Sequence, residues 1–246
     1  MVLKDWEALP EKLQNEQVRF YHDSLSRKRI SLRMKRLFDV TVAAVAGIIL
    51  LPVMVLVGVA VKLDSPGPVF FRQERVTAYG KVFRIWKFRS MVANAEQQGA
   101  QVTSQGDSRI TRVGKVIRKC RLDEIPQLFN ILAGDMTFVG VRPEVQKYVD
   151  HYTEEMYATL LLPAGVTSEA SIRYKNEDAY LTEQQDPDQV YIQNVMPGKM
   201  YYNLKAMKQF SLLEDLKTLL RTVLAVCGKE YADEREAVTN GTNNKA

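Results

Sequence analysis

Between Asp39 and Lys62 the chain runs through twenty-two consecutive residues, Val40–Val61, without a charged side chain. As one straight helix this run would be about 33 Å long, roughly the thickness of a bilayer's hydrocarbon core. Its Leu, Ile and Val residues each favour insertion by about 0.3–0.6 kcal/mol, whereas one central Lys or Asp would cost about 2.5–3.5. A soluble core helix of this length normally keeps a polar face. The run is therefore expected in a membrane rather than inside a soluble core.

Whether it crosses or turns back is decided by Pro52 and by the flanks. Pro52 lies near the middle, where a missing N–H and a ring clash predict a kink or break. Arg27, Lys28, Arg29, Arg33, Lys35 and Arg36 precede the run; Arg72, Arg75, Lys81, Arg84, Lys87 and Arg89 follow it. Short Lys/Arg-rich flanks stay cytoplasmic, so a spanning helix would force one of them to the disfavoured side. A re-entrant hairpin bent at Pro52, over residues 35–64, keeps both on one side. Residues 1–34 read as a polar, interfacial extension leading into it, and 65–228 as a cytosolic domain of ordinary size.

The net charge of +5 suits nucleic acid, anionic lipid or phosphorylated substrates until the charges are placed. Most early cations bracket the apolar run, which favours lipid headgroups and phosphates. Nucleic acid is not expected as a partner: the aromatics alternate as strand core instead of forming an exposed stacking platform. Cys120 and Cys227 are too few for a disulfide framework and lack metal-site spacing, which fits a reducing compartment. No cleavable leader is expected, because the run begins some forty residues in, without the short leader of a signal peptide, and no small-residue cleavage site follows it.

Beyond Lys62, Ser65-Pro66-Gly67-Pro68 ends the helix. Val69–Phe71 and Val82–Phe88 flank Thr77-Ala78-Tyr79-Gly80, and the second run alternates with period two, so a β-hairpin with basic residues on both faces is predicted. Asn94–Asp107 is polar and reads as a loop or weak helix able to act as a lid. Pro126 and Gly134 bracket a helix at Gln127–Ala133. Helical patterns recur at Glu144–Leu161, Asn203–Gln209 and Leu212–Cys227. The apolar stripe of the last is expected as packed core, with a membrane surface or a homo-oligomer contact as its other uses. Residues 229–246 read as a disordered tail. The fold class is α+β and mostly helical.

Chemistry concentrates in Arg118-Lys-Cys-Arg121-Leu-Asp123-Glu124-Ile-Pro126. At or near a helix start, the Asp123 carboxylate would face unpaired N–H groups and the positive end of the dipole, which favour its ionised form. That form can serve as a nucleophile or as a Mg²⁺ ligand. Taken alone, the segment also reads as an ordinary acidic cap with an arginine partner. Lys87, Arg89, Arg118, Arg121 and Arg142 add cations suited to phosphate contacts. Together with a carboxylate and Mg²⁺ they fit phosphoryl transfer.

These residues carry a resemblance. Lys35-Arg36-Leu37-Phe38-Asp39, the proline-interrupted apolar run, Ser65–Gln73, Lys87-Phe88-Arg89-Ser90-Met91, Leu122–Leu132, Gly134-Asp135-Met136 and Val139-Gly140-Val141-Arg142-Pro143 resemble the bacterial sugar transferases, the monotopic phosphoglycosyl transferases. The resemblance implies a re-entrant helix-break-helix at Pro52 and a catalytic domain on the cytoplasmic face of the bacterial inner membrane. It implies transfer of a sugar 1-phosphate from a nucleotide diphosphate sugar, usually a UDP-sugar, to polyprenyl phosphate, with release of the nucleoside monophosphate. Asp123 is then the implied nucleophile and Mg²⁺ contact, and Glu124 the second member of the dyad, a base or a positioning group. Lys87, Arg118 and Arg142 are the implied phosphate contacts. Val141 stands where the family usually has proline, which predicts a looser loop around Arg142. A membrane-anchored interaction module without catalysis is the alternative from a different class.

Overall fold

A computed structural model describes residues 2–95, 107–175 and 186–231. Most of the expected lid loop and of the expected disordered tail lies outside these residues. Helix α1 (Glu16–Ser26) leads into α2 (Arg29–Asp64), a helix of 36 residues. Strands β1 (Phe70–Val76) and β2 (Val82–Phe88) form the predicted antiparallel hairpin, with Phe70 opposite Phe88 and Val76 opposite Val82. Helices α3 (Arg112–Lys119) and α4 (Gln127–Ala133) flank a 3-10 turn at Leu122–Glu124. Strand β3 (Met136–Val139) pairs in parallel with β4 (Ala164–Thr167), and α5 (Gln146–Val149) lies between them in sequence. Helices α6 (Glu169–Arg173), α7 (Pro187–Val190), α8 (Met196–Lys208) and α9 (Leu212–Val226) follow. The parallel pair is absent from the sequence expectations because four-residue strands are too short to show alternation.

Pro52 does not divide α2. The helix continues from Arg29 to Asp64 without interruption, where two helices flanking a break are predicted. The proline removes only one backbone bond, the one position 52 would make to the carbonyl of Ile48, and it sits on the exposed side. A bond lost on the outer face lets a helix bow around its core without parting. Leu32, Lys35, Asp39, Ala43, Met54, Val57 and Val61 are the buried positions of α2. They fall at three- and four-residue steps apart from one gap, which the partly buried Ala46 and Leu50 fill. One continuous face of α2 thus rests on the domain. Ala43, Ala46 and Leu50 pack with Phe83, Ile85 and Leu128, whereas Met54, Val57 and Val61 pack with Phe88 and Ile117. The opposite face, including Val45, Ile48, Ile49, Leu51, Val55, Leu56 and Val59, is exposed.

Polar contacts fasten both ends of this helix. Near its start, Lys35 Nζ donates to Asp215 of α9 at 2.6 Å, and Arg36 caps the C-terminus of α4 through the carbonyls of Ile131 and Leu132 at 2.6 and 3.0 Å. Asp39, 1% exposed, accepts from the Thr137 hydroxyl and the Phe138 N–H of β3. At the far end Asp64 accepts from the Val113 N–H at 3.0 Å, satisfying an orphan donor at the start of α3. Buried Arg89 gathers the carbonyls of Val61, Ser65 and Pro66, the places where a cation complements a helix C-terminus.

Three expectations are corrected. The N-terminal segment is part of the main core rather than an interfacial extension. Leu3, Leu9, Leu13, Val18, Tyr21 and Leu25 join Tyr152, Leu161, Tyr202, Met207 and Phe210 in one buried cluster. The pattern at Glu144–Leu161 is not one helix; α5 stops at Val149, and a 3-10 segment, Met156–Leu161, follows a turn. The apolar stripe of α9 is not packed core, since Leu213, Leu216, Leu220 and Val223 are 49–62% exposed and Ala225 is the buried residue of that helix. Replacing fully buried Leu25 by Ala is therefore expected to cost about 2–5 kcal/mol. Denaturant titration in detergent micelles measures this, and a surface appendage would change stability by less than about 0.5 kcal/mol.

Candidate active site

The turn that carries the two acids is positioned from both sides. Asn130 of α4 acts as an extra strand residue: its Oδ1 accepts from the Trp86 N–H at 2.8 Å and its Nδ2 donates to the Arg84 carbonyl at 3.0 Å. This fixes α4, and the turn before it, against β2. On the other side, Arg121 takes the left-handed conformation, with φ of 55°, between α3 and the turn. A bulky residue held there is strained, a feature that clusters at functional sites. The chain reverses sharply at Arg121, and Asp123 and Glu124 are drawn into a cleft.

Asp123 and Glu124 are adjacent in sequence and opposite in environment. Glu124 receives Arg142 Nη2 at 2.5 Å and Lys87 Nζ at 3.1 Å, with Arg121 at 3.8 Å. Burial would raise its pKa, but Arg142 and Lys87 outweigh that and hold it well below the usual carboxylate range. Asp123 is 8% exposed, and its Oδ1 has no hydrogen-bond partner among the described residues. Burial first, and then the Glu124 charge, push its pKa up against the pull of Lys87, Arg118 and Arg121. The sequence predicts an ionised carboxylate held by a helix cap. In the structure Pro126 occupies the N-cap of α4, and no backbone N–H reaches Asp123 Oδ1. Lys87 has its pKa lowered by burial despite Glu124.

The cleft measures about 1250 Å³. All five sequence-predicted site residues line it: Asp123, Glu124, Lys87, Arg118 and Arg142. Two of the cations, Lys87 and Arg142, are held on Glu124, while Arg118 approaches from the last turn of α3. The loop carrying Arg142 is not loose. The Gly140 N–H donates to Thr167 at 3.0 Å and the Gly165 N–H to Val141 at 2.7 Å, so the loop prolongs the β3–β4 ladder. A Cβ on Gly165 would stand 2.2 Å from Gly140 backbone atoms, so only glycine permits this approach. Val141 needs no proline ring to be fixed. Pro52 lies outside the cleft, but Ala46 and Leu50 of the same helix form its apolar wall.

Several lining residues escape sequence reading. Arg75, Glu144, Tyr191 and Lys199 come from three distant stretches. Among them only Arg75 carried a signal, its period-two placement on the strand face shared with Gln73.

The family model for bacterial sugar transferases matches residues 30–229, from the start of α2 to just past α9. The chain belongs to the bacterial sugar transferase family. Relatives of this chain include the UDP-N-acetylgalactosamine-undecaprenyl-phosphate N-acetylgalactosaminephosphotransferase of Aeromonas hydrophila, 40% identical over 197 residues, 78% of this chain and 43% of that protein. The UDP-glucose:undecaprenyl-phosphate glucose-1-phosphate transferase of Caulobacter vibrioides is 35% identical over 202 residues, 81% of this chain and 71% of that protein. The enzyme of the same name from Escherichia coli K12 is 32% identical over 194 residues, 77% and 39% respectively. The chain thus spans about two fifths of two of these relatives.

Opposite environments predict opposite responses to substitution. Glu124→Gln leaves Lys87 and Arg142 beside an uncharged group and is expected to destabilise by about 3–5 kcal/mol. Asp123→Asn is expected to stabilise. Because the folded protein raises the pKa of Asp123, the contribution of this residue to stability falls as pH rises from its ordinary value, about 3.9, through the raised one. The gain in thermal midpoint of Asp123→Asn over wild type should therefore grow with pH across that window and then level off. Scans in chelator between about pH 4 and pH 8 test it; a midpoint below wild type at neutral pH would refute the electrostatic assignment.

Proposed function

We propose that this chain transfers a sugar 1-phosphate from a UDP-sugar to undecaprenyl phosphate, releasing UMP, as the first membrane step of lipid-linked glycan assembly. The observation that carries this reading is a buried carboxylate oxygen without a partner among the described residues, in a cation-rich cleft that is also lined by Ala46 and Leu50 of the uncharged run. The names of the relatives supply the donor and acceptor classes. In the first half-reaction Asp123 attacks the sugar-bearing phosphorus, the bond to the bridging oxygen breaks, and UMP leaves with that oxygen. In the second, a phosphate oxygen of the acceptor attacks the same phosphorus and returns the carboxylate to Asp123. The desolvated, poorly stabilised Asp123 carboxylate is activated as a nucleophile. Arg118 and Arg121, close enough to Asp123 to act on its charge, suit the diphosphate. Glu124, held far below neutral pH by its cations, is a weak base and serves instead to orient Lys87 and Arg142.

Asp123 fits a Mg²⁺ ion. Among the described residues no three His, Cys, Asp or Glu side chains converge. Mg²⁺ commonly takes one or two carboxylates and completes its shell with substrate phosphates and water. The unpaired Oδ1 of Asp123 would be that carboxylate. When bound, the ion would neutralise charge building on the donor's phosphates.

Both halves of the uncharged run rest on the same domain, which supports insertion from one side with the catalytic domain on the cytoplasmic face. A crossing helix would carry that domain and its charges into hydrocarbon. The 1250 Å³ cleft exceeds the usual single-ligand range of about 300–1000 Å³ and leaves room for an acceptor arriving past Ala46 and Leu50.

Asp123→Asn is expected to lower UMP release from UDP-sugar and undecaprenyl phosphate by about 10³-fold or more, and to abolish radiolabelled phosphosugar on the protein, while membrane association persists. Undiminished turnover in that variant would discard the mechanism. Absence of UMP release from wild type with every UDP-sugar and Mg²⁺ would favour a non-catalytic, membrane-anchored module.

A further inference from the structure

Next to Arg142 and Lys87, the cations on Glu124, the cleft has a floor built from β1, the loop before α5, the helical segment after α7, and α8. Arg75, Glu144, Tyr148, Tyr174, Tyr191 and Lys199 line it. Glu144, Tyr191 and Lys199 are 9%, 3% and 6% exposed, so two opposite charges and a phenol are more than nine-tenths buried there. They form a connected chain: Lys199 Nζ donates to the Tyr191 hydroxyl at 3.1 Å, and that hydroxyl donates to Glu144 Oε1 at 2.5 Å. Arg75 lies close enough to interact with the Glu144 charge. The Tyr148 and Tyr191 rings pack beside each other, with centroids 4.6 Å apart and planes tilted by 35°.

Packing alone does not account for this floor. Burying an ammonium and a carboxylate costs several kcal/mol per ion before pairing, and apolar residues of similar volume commonly serve as well or better. The same helix supplies such residues, Met196 three positions before Lys199 and Met200 directly after it. The buried charges are instead turned toward a cavity, where convergent polar groups against aromatic walls orient a ligand. Charge then narrows the ligand. At the α3 side the wall is cationic, with Arg118, Lys119 and Arg121, and suits phosphate. At the floor a carboxylate, Glu144, stands among two cations, Lys199 and Arg75, so that acceptors and donors lie side by side there. Adjacent hydroxyls, each a donor and an acceptor, match such a set.

We propose that the Lys199–Tyr191–Glu144 chain, with Arg75, binds the vicinal hydroxyls of the donor's hydroxylated ring, and so sets the distance at which the phosphorus meets Asp123. This rests on the proposed transfer reaction and adds its donor subsite. Two rings of a UDP-sugar carry that chemistry, the pyranose and the ribose, and each would bring the diphosphate along the cationic wall.

The test uses the full chain in phosphatidylethanolamine–phosphatidylglycerol nanodiscs, in an Asp123→Asn background that binds donor without turnover. Calorimetry measures UMP and four UDP-sugars (glucose, galactose, N-acetylglucosamine and N-acetylgalactosamine) against that protein, with and without Tyr191→Phe. Tyr191→Phe keeps the ring contact with Tyr148 and removes one hydroxyl. The expected result is a loss of about tenfold or more in affinity for the bound donor. An equal loss for UMP identifies the ribose, and an unchanged UMP affinity identifies the pyranose. Glu144→Gln should weaken the same ligand. A donor lacking the contacted hydroxyl should lose affinity against the Asp123→Asn protein but not further against Tyr191→Phe, a coupling that general loosening of the fold would not produce. Unchanged donor affinity in both variants, or additive losses with the deoxy donor, would overturn the subsite while leaving the transfer reaction standing. Failure of the Asp123→Asn protein to bind UMP or any UDP-sugar would overturn both.

Discussion

The structure depends on keeping a helix with no charge over twenty-two residues fastened to the rest of the fold at both ends. Apolar packing alone would not fix its register, because a Val- and Leu-rich face slides on another at little cost. The register comes from polar contacts: Lys35, Arg36 and Asp39 at one end, Asp64 and the Arg89 cap at the other. Each engages a different element, namely α9, α4, β3, α3 and the α2 C-terminus. A shift of one residue along the helix would misplace all five, and each misplaced buried group costs about 1–3 kcal/mol or more. Arg36 and Arg89 each satisfy helix-terminal carbonyls that would otherwise be orphaned, so the clasps also terminate α4 and α2.

The same principle, charge assigned to one partner and withheld from another, builds the cleft. Three cations converge on Glu124, and this leaves Asp123 the buried acid whose Oδ1 is unpaired. Two carboxylates one residue apart would repel if both were equally exposed; here one is saturated and the other is raised by burial and by its neighbour. Pairs of titratable groups whose environments drive their pKa values apart are how acid, base and nucleophile roles become distinct on one fold. The loop carrying Arg142 is held by the β3–β4 ladder and the Gly140–Gly165 approach, so the cation that saturates Glu124 has a rigid support.

Much of this is legible in the sequence, because local patterns carry it. The uncharged run, the period-two strand, the proline and glycine brackets of α4, and the Asp-Glu pair amid cations are all short-range signals, and each corresponds to a feature of the fold. The failures have a common cause. Pro52 was expected to divide α2 on propensity, but packing along both halves outweighs one lost backbone bond. A helix cap would favour an ionised Asp123, whereas a left-handed Arg121 and a 3-10 turn carry the acid away from the cap. Helical spacing from Glu144 to Leu161 and the stripe of α9 show periodicity, which reports that a face exists but not what covers it. The role of the first thirty residues in the core was invisible because their apolar positions are sparse and their partners lie more than a hundred residues away, as Leu25 and Tyr202 show.

One consequence joins helix and cleft. Ala46 and Leu50 belong at once to the apolar cluster that seats α2 on the hairpin and to the wall of the cavity that holds Asp123. Lys87 lies on the strand next to Phe88, and Phe88 packs against the second half of α2. The uncharged helix and the Asp123 carboxylate are therefore joined through packed side chains, not by a linker. Under the proposed transfer, a donor dissolved in water and an acceptor dissolved in lipid must present phosphates to one carboxylate. A flexible tether would leave its depth relative to the headgroups free to vary. Rigid seating fixes it, and a covalent intermediate removes the need for both substrates to be present together. With position set by packing and the two encounters separated in time, each half-reaction needs one substrate aligned against a preformed site.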